Sequence, residues 1–195
     1  MSLVPAFEIG VWNVWLLMLP LFLIPAIMSS IKKELFKKTE STTNLSRREK
    51  RVFVVSKVVL ALAFLYSIFL PLRLGTLWFY IGLPISLLGI AMYIIVSVNI
   101  ANTPVDRPVT KGLYRYSRHP MYIASIPALV GAGIASASWL FLLLSVLFVV
   151  THLMNGIFEE RLCLEAYGSG YQDYLDRTPR WIGMPKSGTN QVKKK

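Results

Sequence analysis

Cysteine occurs once in this chain, at Cys163, and histidine twice, at His119 and His152. A single thiol excludes an internal disulfide framework and a cysteine-rich zinc site. Two histidines far apart, with no His-x-x-x-His pair, leave no ligand set for zinc or a di-iron centre. No G-x-G-x-x-G follows a strand, and there is neither a P-loop nor a nucleophile elbow. The usual soluble nucleotide-binding and hydrolytic chemistries therefore have no foothold. Charge is scarce as well: 16% of the 195 residues are Asp, Glu, Lys or Arg, against roughly 25% in a soluble domain. Negative charge is scarcer still, with 10 acidic residues against 21 basic ones and a net charge of +11.

What the chain has is apolar surface. Hydrophobic residues make up 54% of it, and its mean hydropathy is +0.53. That composition excludes disorder, and a soluble domain of this size could not hide so much apolar surface. A pI near 9.9 commonly signals nucleic-acid binding, which fits this composition poorly. Positive charge on a hydrophobic chain points instead to a membrane protein with basic cytosolic loops, and no nucleic-acid partner is expected.

The spacing of charges sets the architecture. Residues 9–31 are 23 positions without a charge, 52–72 hold only Lys57, 74–105 are 32 uncharged positions, and 120–158 are 39 positions with no Asp, Glu, Lys or Arg and a single histidine, His152. A spanning helix needs about 20 apolar residues. The first three runs read as one helix each. The fourth reads as a helical hairpin with a tight turn at Ala135-Ser136-Ala137-Ser138. The expected fold is all-α, a polytopic bundle of five transmembrane spans near 11–31, 52–72, 77–100, 119–135 and 138–160. Residues 1–185 form one membrane-embedded domain, and 186–195 a disordered basic tail. The first span is expected to be retained, because the segment before it has no Lys or Arg and its apolar run is too long for a signal peptide.

Five spans place 19 basic residues, in 31–51, 101–118 and the segment from Glu159 onward, on one side and only Arg73 on the other. By the positive-inside rule the N-terminus is outside and the C-terminus cytosolic. Lys57 snorkels towards the near interface. The fourth span is rich in small residues, from Ala124 and Ser125 through Ala128, Gly131, Ala132, Gly133 and Ala135, and is expected to pack centrally.

Two polar segments, 99–122 and 152–181, adjoin the two ends of the hairpin, so Arg118-His119-Pro120 and Glu159-Glu160 must reach one membrane depth. His152, Asn155 and Glu159 share one helix face. Glu159 and Glu160 either oppose a cationic ligand or mark the water interface, and His152 reads as an interhelical hydrogen-bonding residue. Most of Tyr114, Tyr116, Tyr122, Tyr167, Tyr171, Tyr174 and Trp181 read as an interfacial aromatic belt.

Together, G-L-Y-R-Y-S-R-H-P-M-Y (112–122), E-E-R-L-C-L-E-A-Y-G-S-G-Y-Q-D-Y (159–174) and R-T-P-R-W (177–181) resemble the isoprenylcysteine carboxyl methyltransferases. More broadly, they resemble the integral-membrane methyltransferases that include phospholipid N-methyltransferases. The resemblance covers 99–182. It implies S-adenosylmethionine as cofactor, with S-adenosylhomocysteine as product, held without a Rossmann domain by cytosolic segments 99–122 and 159–182. It assigns cofactor contacts to His119, Pro120, Met121 and Tyr122 (the H-P-x-Y element), to Tyr114, to Asp106 through Val109, to Asn99, and to Glu159 with Glu160. Arg118 and Asn155 fall at the reacting end. The eukaryotic relatives carry at 155 an arginine associated with the substrate carboxylate, and a neutral Asn155 cannot form that ion pair.

The implied activity is methyl transfer to a lipophilic acceptor, with carboxyl O-methylation of a prenylated cysteine as the nearest analogue. The alternatives are a lipid amine N-methyltransferase, an NADPH-dependent sterol-type reductase with a similar hairpin, and a non-enzymatic scaffold. The expected partners are the bilayer and the acceptor, with no obligate protein partner. The active site faces the cytosol, in the plasma membrane of a prokaryote or the endoplasmic reticulum of a eukaryote.

Overall fold

The computed structural model describes residues 7–31 and 45–186. Lys32, Lys33, Lys37 and Lys38, and the tail from 187, lie outside the described residues. Six α-helices lie among the described residues: α1 (Trp15–Ile31), α2 (Arg47–Ile68), α3 (Leu77–Ala101), α4 (Pro120–Ala135), α5 (Trp139–Tyr167) and α6 (Ser169–Arg177). A 3-10 turn at Gly112–Arg115 precedes α4. No strand occurs among the described residues; one isolated bridge joins Asn13 to Pro71.

Helices α2, α3 and α5 are long and apolar enough to cross a membrane. Helices α1 and α4 are also apolar, with 17 described residues and 16 residues. At about 1.5 Å per residue α4 falls short of the roughly 30 Å hydrocarbon core. Several expected boundaries move for local reasons. Helix α1 starts at 15, not 11, because Asn13 is held outside it: its side-chain amide donates to Glu8 O (2.6 Å) and Ile68 O (2.7 Å). Helix α2 starts at Arg47, inside the charged stretch, because Ser46 and Glu49 form a reciprocal capping box. Helix α5 runs beyond Glu160 to Tyr167, and only Gly168, at φ +57°, ends it. Charge alone does not stop a helix; a backbone that leaves the helical region does.

The hairpin turn stands where the small residues place it. Ser136 N–H bonds to Ala132 O (3.1 Å), Ala137 takes a positive φ of 53°, and Ser138 Oγ caps Phe141 N–H (3.2 Å). At this end Arg73 N–H bonds to Ala135 O (3.1 Å), and Val14 N–H to Leu70 O (2.9 Å). The chain entering α1, the α2–α3 connection and the hairpin turn are thereby sewn together, leaving the opposite end to the polar segments.

Helices α3 and α4 meet almost backbone to backbone. A Cβ on Gly82 would strike the backbone of Ala135, one on Gly89 that of Ala128, and one on Gly131 that of Ser86. Ser86 Oγ bonds across this seam to Ala128 O (2.8 Å). The small-residue face of α4 therefore packs centrally, as its composition predicts. Helices α2 and α5 run antiparallel. Arg161 Nη2 meets Glu49 Oε2 at 2.9 Å at one end, and Tyr66 OH meets Ser138 Oγ at 3.1 Å at the other.

Candidate active site

The hairpin delivers its two motifs to one place. His119 stands immediately before α4, with Pro120 in the first helical position, where a missing N–H costs nothing. Opposite it, on α5, Glu160 accepts from His119 Nε2 (3.1 Å) and Arg180 Nη2 (2.7 Å), and Arg118 Nη1 lies 3.1 Å away. Three basic groups thus converge on one carboxylate, 9% exposed. A buried carboxylate needs such pairing to offset desolvation. Glu159 sits differently. It accepts one hydrogen bond, from the Tyr122 hydroxyl (2.7 Å), stands 3.8 Å from His119 Nδ1, and remains 42% exposed. The imidazole of His119 lies between the two carboxylates.

The C-terminal segment closes over this cluster. Arg118 N–H bonds to Pro179 O (3.1 Å), Gly183 N–H to Tyr116 O (3.1 Å) and Ser117 Oγ to Arg180 O (3.2 Å). Tyr174 OH donates to Tyr114 O (2.8 Å). Tyr171 and Tyr174 are buried, and Trp181 packs 5.5 Å from the His119 ring. These rings correct the expectation of an interfacial belt, because most of them face inward. Tyr116, 48% exposed, is the one that fits it. Burial, above all, pushes the phenols of Tyr114, Tyr171 and Tyr174 above their ordinary pKa. They therefore stay neutral donors.

A cavity of about 600 Å³ opens beside the cluster, within the range of about 300–1,000 Å³ that holds small molecules. Its polar part is lined by Arg118, His119, Tyr122, Asn155 and Glu159, with Tyr114, Val109 and Met121 nearby. Its apolar part runs between helices, past Leu21, Phe22 and Pro25 of α1, Phe53 and Leu60 of α2, and Phe148 of α5. His152, Asn155 and Glu159 all line it, as their shared face predicts. His152 makes no interhelical hydrogen bond with the described residues. Its ring packs edge-on to Tyr122 (4.0 Å) and stacks on Phe148 (4.6 Å).

Four residues assigned by resemblance lie off the cavity wall. Glu160 is consumed by its basic partners, and Pro120 is buried in the first turn of α4. Asp106 is exposed and meets only its neighbour Arg107 (3.5 Å). Asn99 lies under Gly112, whose φ is +62° and whose missing Cβ would strike the Asn99 side chain. Several lining residues have no place in the site by the sequence reading: Leu21, Phe22 and Pro25, and Glu49, Phe53 and Lys57. The Ser46-x-x-Glu49 capping signal and the lone charge of Lys57 were visible; that α1 and α2 wall the cavity was not. Arg180 belongs to the R-T-P-R-W motif but becomes a ligand of Glu160 only through the fold.

The donor set fits a nucleoside that carries both a cation and a carboxylate. Glu159 keeps most of its acceptor capacity. Asn155 Oδ1 and Arg118 Nε are buried without a partner among the described residues. The tyrosines supply flat apolar walls. Among the described residues no group of three or more His, Cys, Asp or Glu could hold a metal. No curated protein matches the chain. Residues 74–170, which hold α3, the hairpin and both glutamates, match the phospholipid methyltransferase family, a family of integral-membrane methyltransferases related to the isoprenylcysteine carboxyl methyltransferases.

Proposed function

We propose that the protein is an S-adenosylmethionine-dependent methyltransferase of a lipophilic acceptor. We further propose that it crosses the bilayer five times, with the N-terminus outside and the site facing the cytosol. The observation that carries this reading is the single cavity joining the half-free Glu159 carboxylate to an apolar passage between α1, α2 and α5. One end suits a water-soluble cation; the other suits a lipid tail arriving sideways from the membrane.

When bound, the cofactor supplies an electrophilic methyl group. Glu159 pairs its ammonium, and the Tyr122 hydroxyl holds that carboxylate in place. Tyr114, Tyr122 and Met121 flank the nucleoside and sulfonium. Val109 contributes from the segment before the 3-10 turn, and Asn99 supports that turn from beneath. Glu160 does not touch the ligand; it fixes His119, Arg118 and Arg180 around it. Arg118 and Asn155 stand at the reacting end. Excluding water and aligning the acceptor supply most of the rate, since a carboxylate nucleophile needs no base.

The first acceptor to test is the carboxylate of a prenylated cysteine. A lipid amine is the second, favoured by the family match. Calorimetry with S-adenosylhomocysteine in detergent tests the cofactor. Binding that weakens in E159Q by about 1–3 kcal/mol, the range for a charge-assisted hydrogen bond, supports the reading. No binding by the wild type, or binding of NADPH instead, defeats it. Methyl incorporation into N-acetyl-S-farnesylcysteine or phosphatidylethanolamine then separates the acceptors.

A further inference from the structure

We propose that Lys57 is the anion-binding residue for the acceptor, receiving an oxyanion of a membrane-borne molecule in the cavity's apolar limb. This inference rests on the methyltransferase reading. Lys57 is the sole charge in residues 52–72, a position where a charge is costly and marks a functional site by default. It lines the cavity together with Phe53, Ser56 and Leu60 of the same helix. Its ammonium lies 4.3 Å over the Phe53 ring, one turn towards the start of α2. It has no carboxylate partner among the described residues. The nearest acidic residue on its own helix, Glu49, is taken by Arg161 (2.9 Å) and by the Ser46 N–H (2.7 Å).

The register of α2 against α5 places this cation. Glu49 meets Arg161, and the helices run antiparallel. Four residues further along α2, Phe53 comes level with about residue 157 of α5, at equal rise per residue. The ammonium over Phe53 therefore stands at the depth of Asn155 and Glu159, on the opposite wall. Asn155 is neutral, and in the proposed function Glu159 is taken by the cofactor's ammonium, so these two residues offer an anionic acceptor no positive charge at this depth. Lys57 supplies from α2 the positive charge that position 155 lacks. A lysine ammonium is a point charge on a flexible stem and takes carboxylate or phosphate alike, so the acceptor's own carboxylate and a phospholipid phosphate are both admissible sources.

The test uses the full chain in detergent, saturated with S-adenosylhomocysteine. Two pairs of probes are titrated: N-acetyl-S-farnesylcysteine against its neutral carboxamide, and a short-chain phosphatidylethanolamine against the matching diacylglycerol. The wild type should prefer the oxyanion-bearing member of at least one pair. In K57M that preference should fall about tenfold or more, as for a lost hydrogen bond to a charged group, while K57R retains it. The affinity for S-adenosylhomocysteine should stay unchanged, which also reports that the variant is folded; K57Q is read in its place should K57M not bind. The pair that loses its preference identifies the source of the anion. Preferences that persist in the folded lysine variant, or are absent in the wild type, overturn the role of Lys57. Failure of the wild type to bind S-adenosylhomocysteine instead overturns the methyltransferase reading.

Discussion

Glu159 and Glu160 are neighbours in sequence with opposite circumstances. One turns to the cavity with a single hydrogen bond; the other is enclosed by Arg118, His119 and Arg180. Substitution should separate them. E160Q leaves three basic groups around a neutral amide, and breaking a buried pair from one side costs about 3–5 kcal/mol, which partial exposure of Arg180 (41%) will lessen. The expected result is a clear fall in thermal midpoint in detergent. E159Q, half-buried and lightly bonded, should leave the midpoint nearly unchanged and act on ligand affinity. Gly112 gives a second residue-scale test. Its φ of +62° and its contact with Asn99 leave no room for a methyl group. Gly112→Ala should therefore shift the turn before α4 and weaken S-adenosylhomocysteine binding as well as stability.

At the scale of elements, the hairpin and the small-residue seam carry the fold. Gly89→Leu should prevent α3 and α4 from closing, and a drop in folded yield by size-exclusion chromatography checks it. Ser138→Ala removes an N-cap and the link to Tyr66. It should cost about 1 kcal/mol, read as a modest decrease in thermal midpoint. Much of this was legible in the sequence. Small residues at 124–135 predict a central helix, and Ser-Ala-Ser after Ala135 predicts the turn. Together they bring His119 to Glu159 and Glu160. The ends of α2 and α5 were misread because charged residues were taken as loop, whereas capping at Ser46 and the backbone at Gly168 decide those boundaries. The tyrosines were misread because an aromatic ring near an interface has the same signature whether it faces lipid or protein. The second wall of the site, on α1 and α2, has no motif; it arises from tertiary packing alone.

For the whole molecule, the two ends of the bundle differ in character. Arg73 lies beside the hairpin turn, while Lys111, Arg115, Arg161 and Arg180 lie with the site. In a Cys163→Ser background, single cysteines introduced by R73C and K111C should react with a membrane-impermeant maleimide from opposite faces of sealed vesicles. Labelling of both from the same face would refute the five-span topology.

The seam between α3 and α4 has a mechanical corollary. Where two backbones touch, few side-chain tips are left to rearrange, so those helices can only travel as a stiff plate. Admission of a long hydrocarbon chain must then be borne by the facing wall, where α1 and α2 present bulky flexible groups such as Leu21, Phe22 and Leu60. Loosening that wall should hasten entry and exit of the greasy reactant, yet scarcely alter how the nucleoside is gripped on the other.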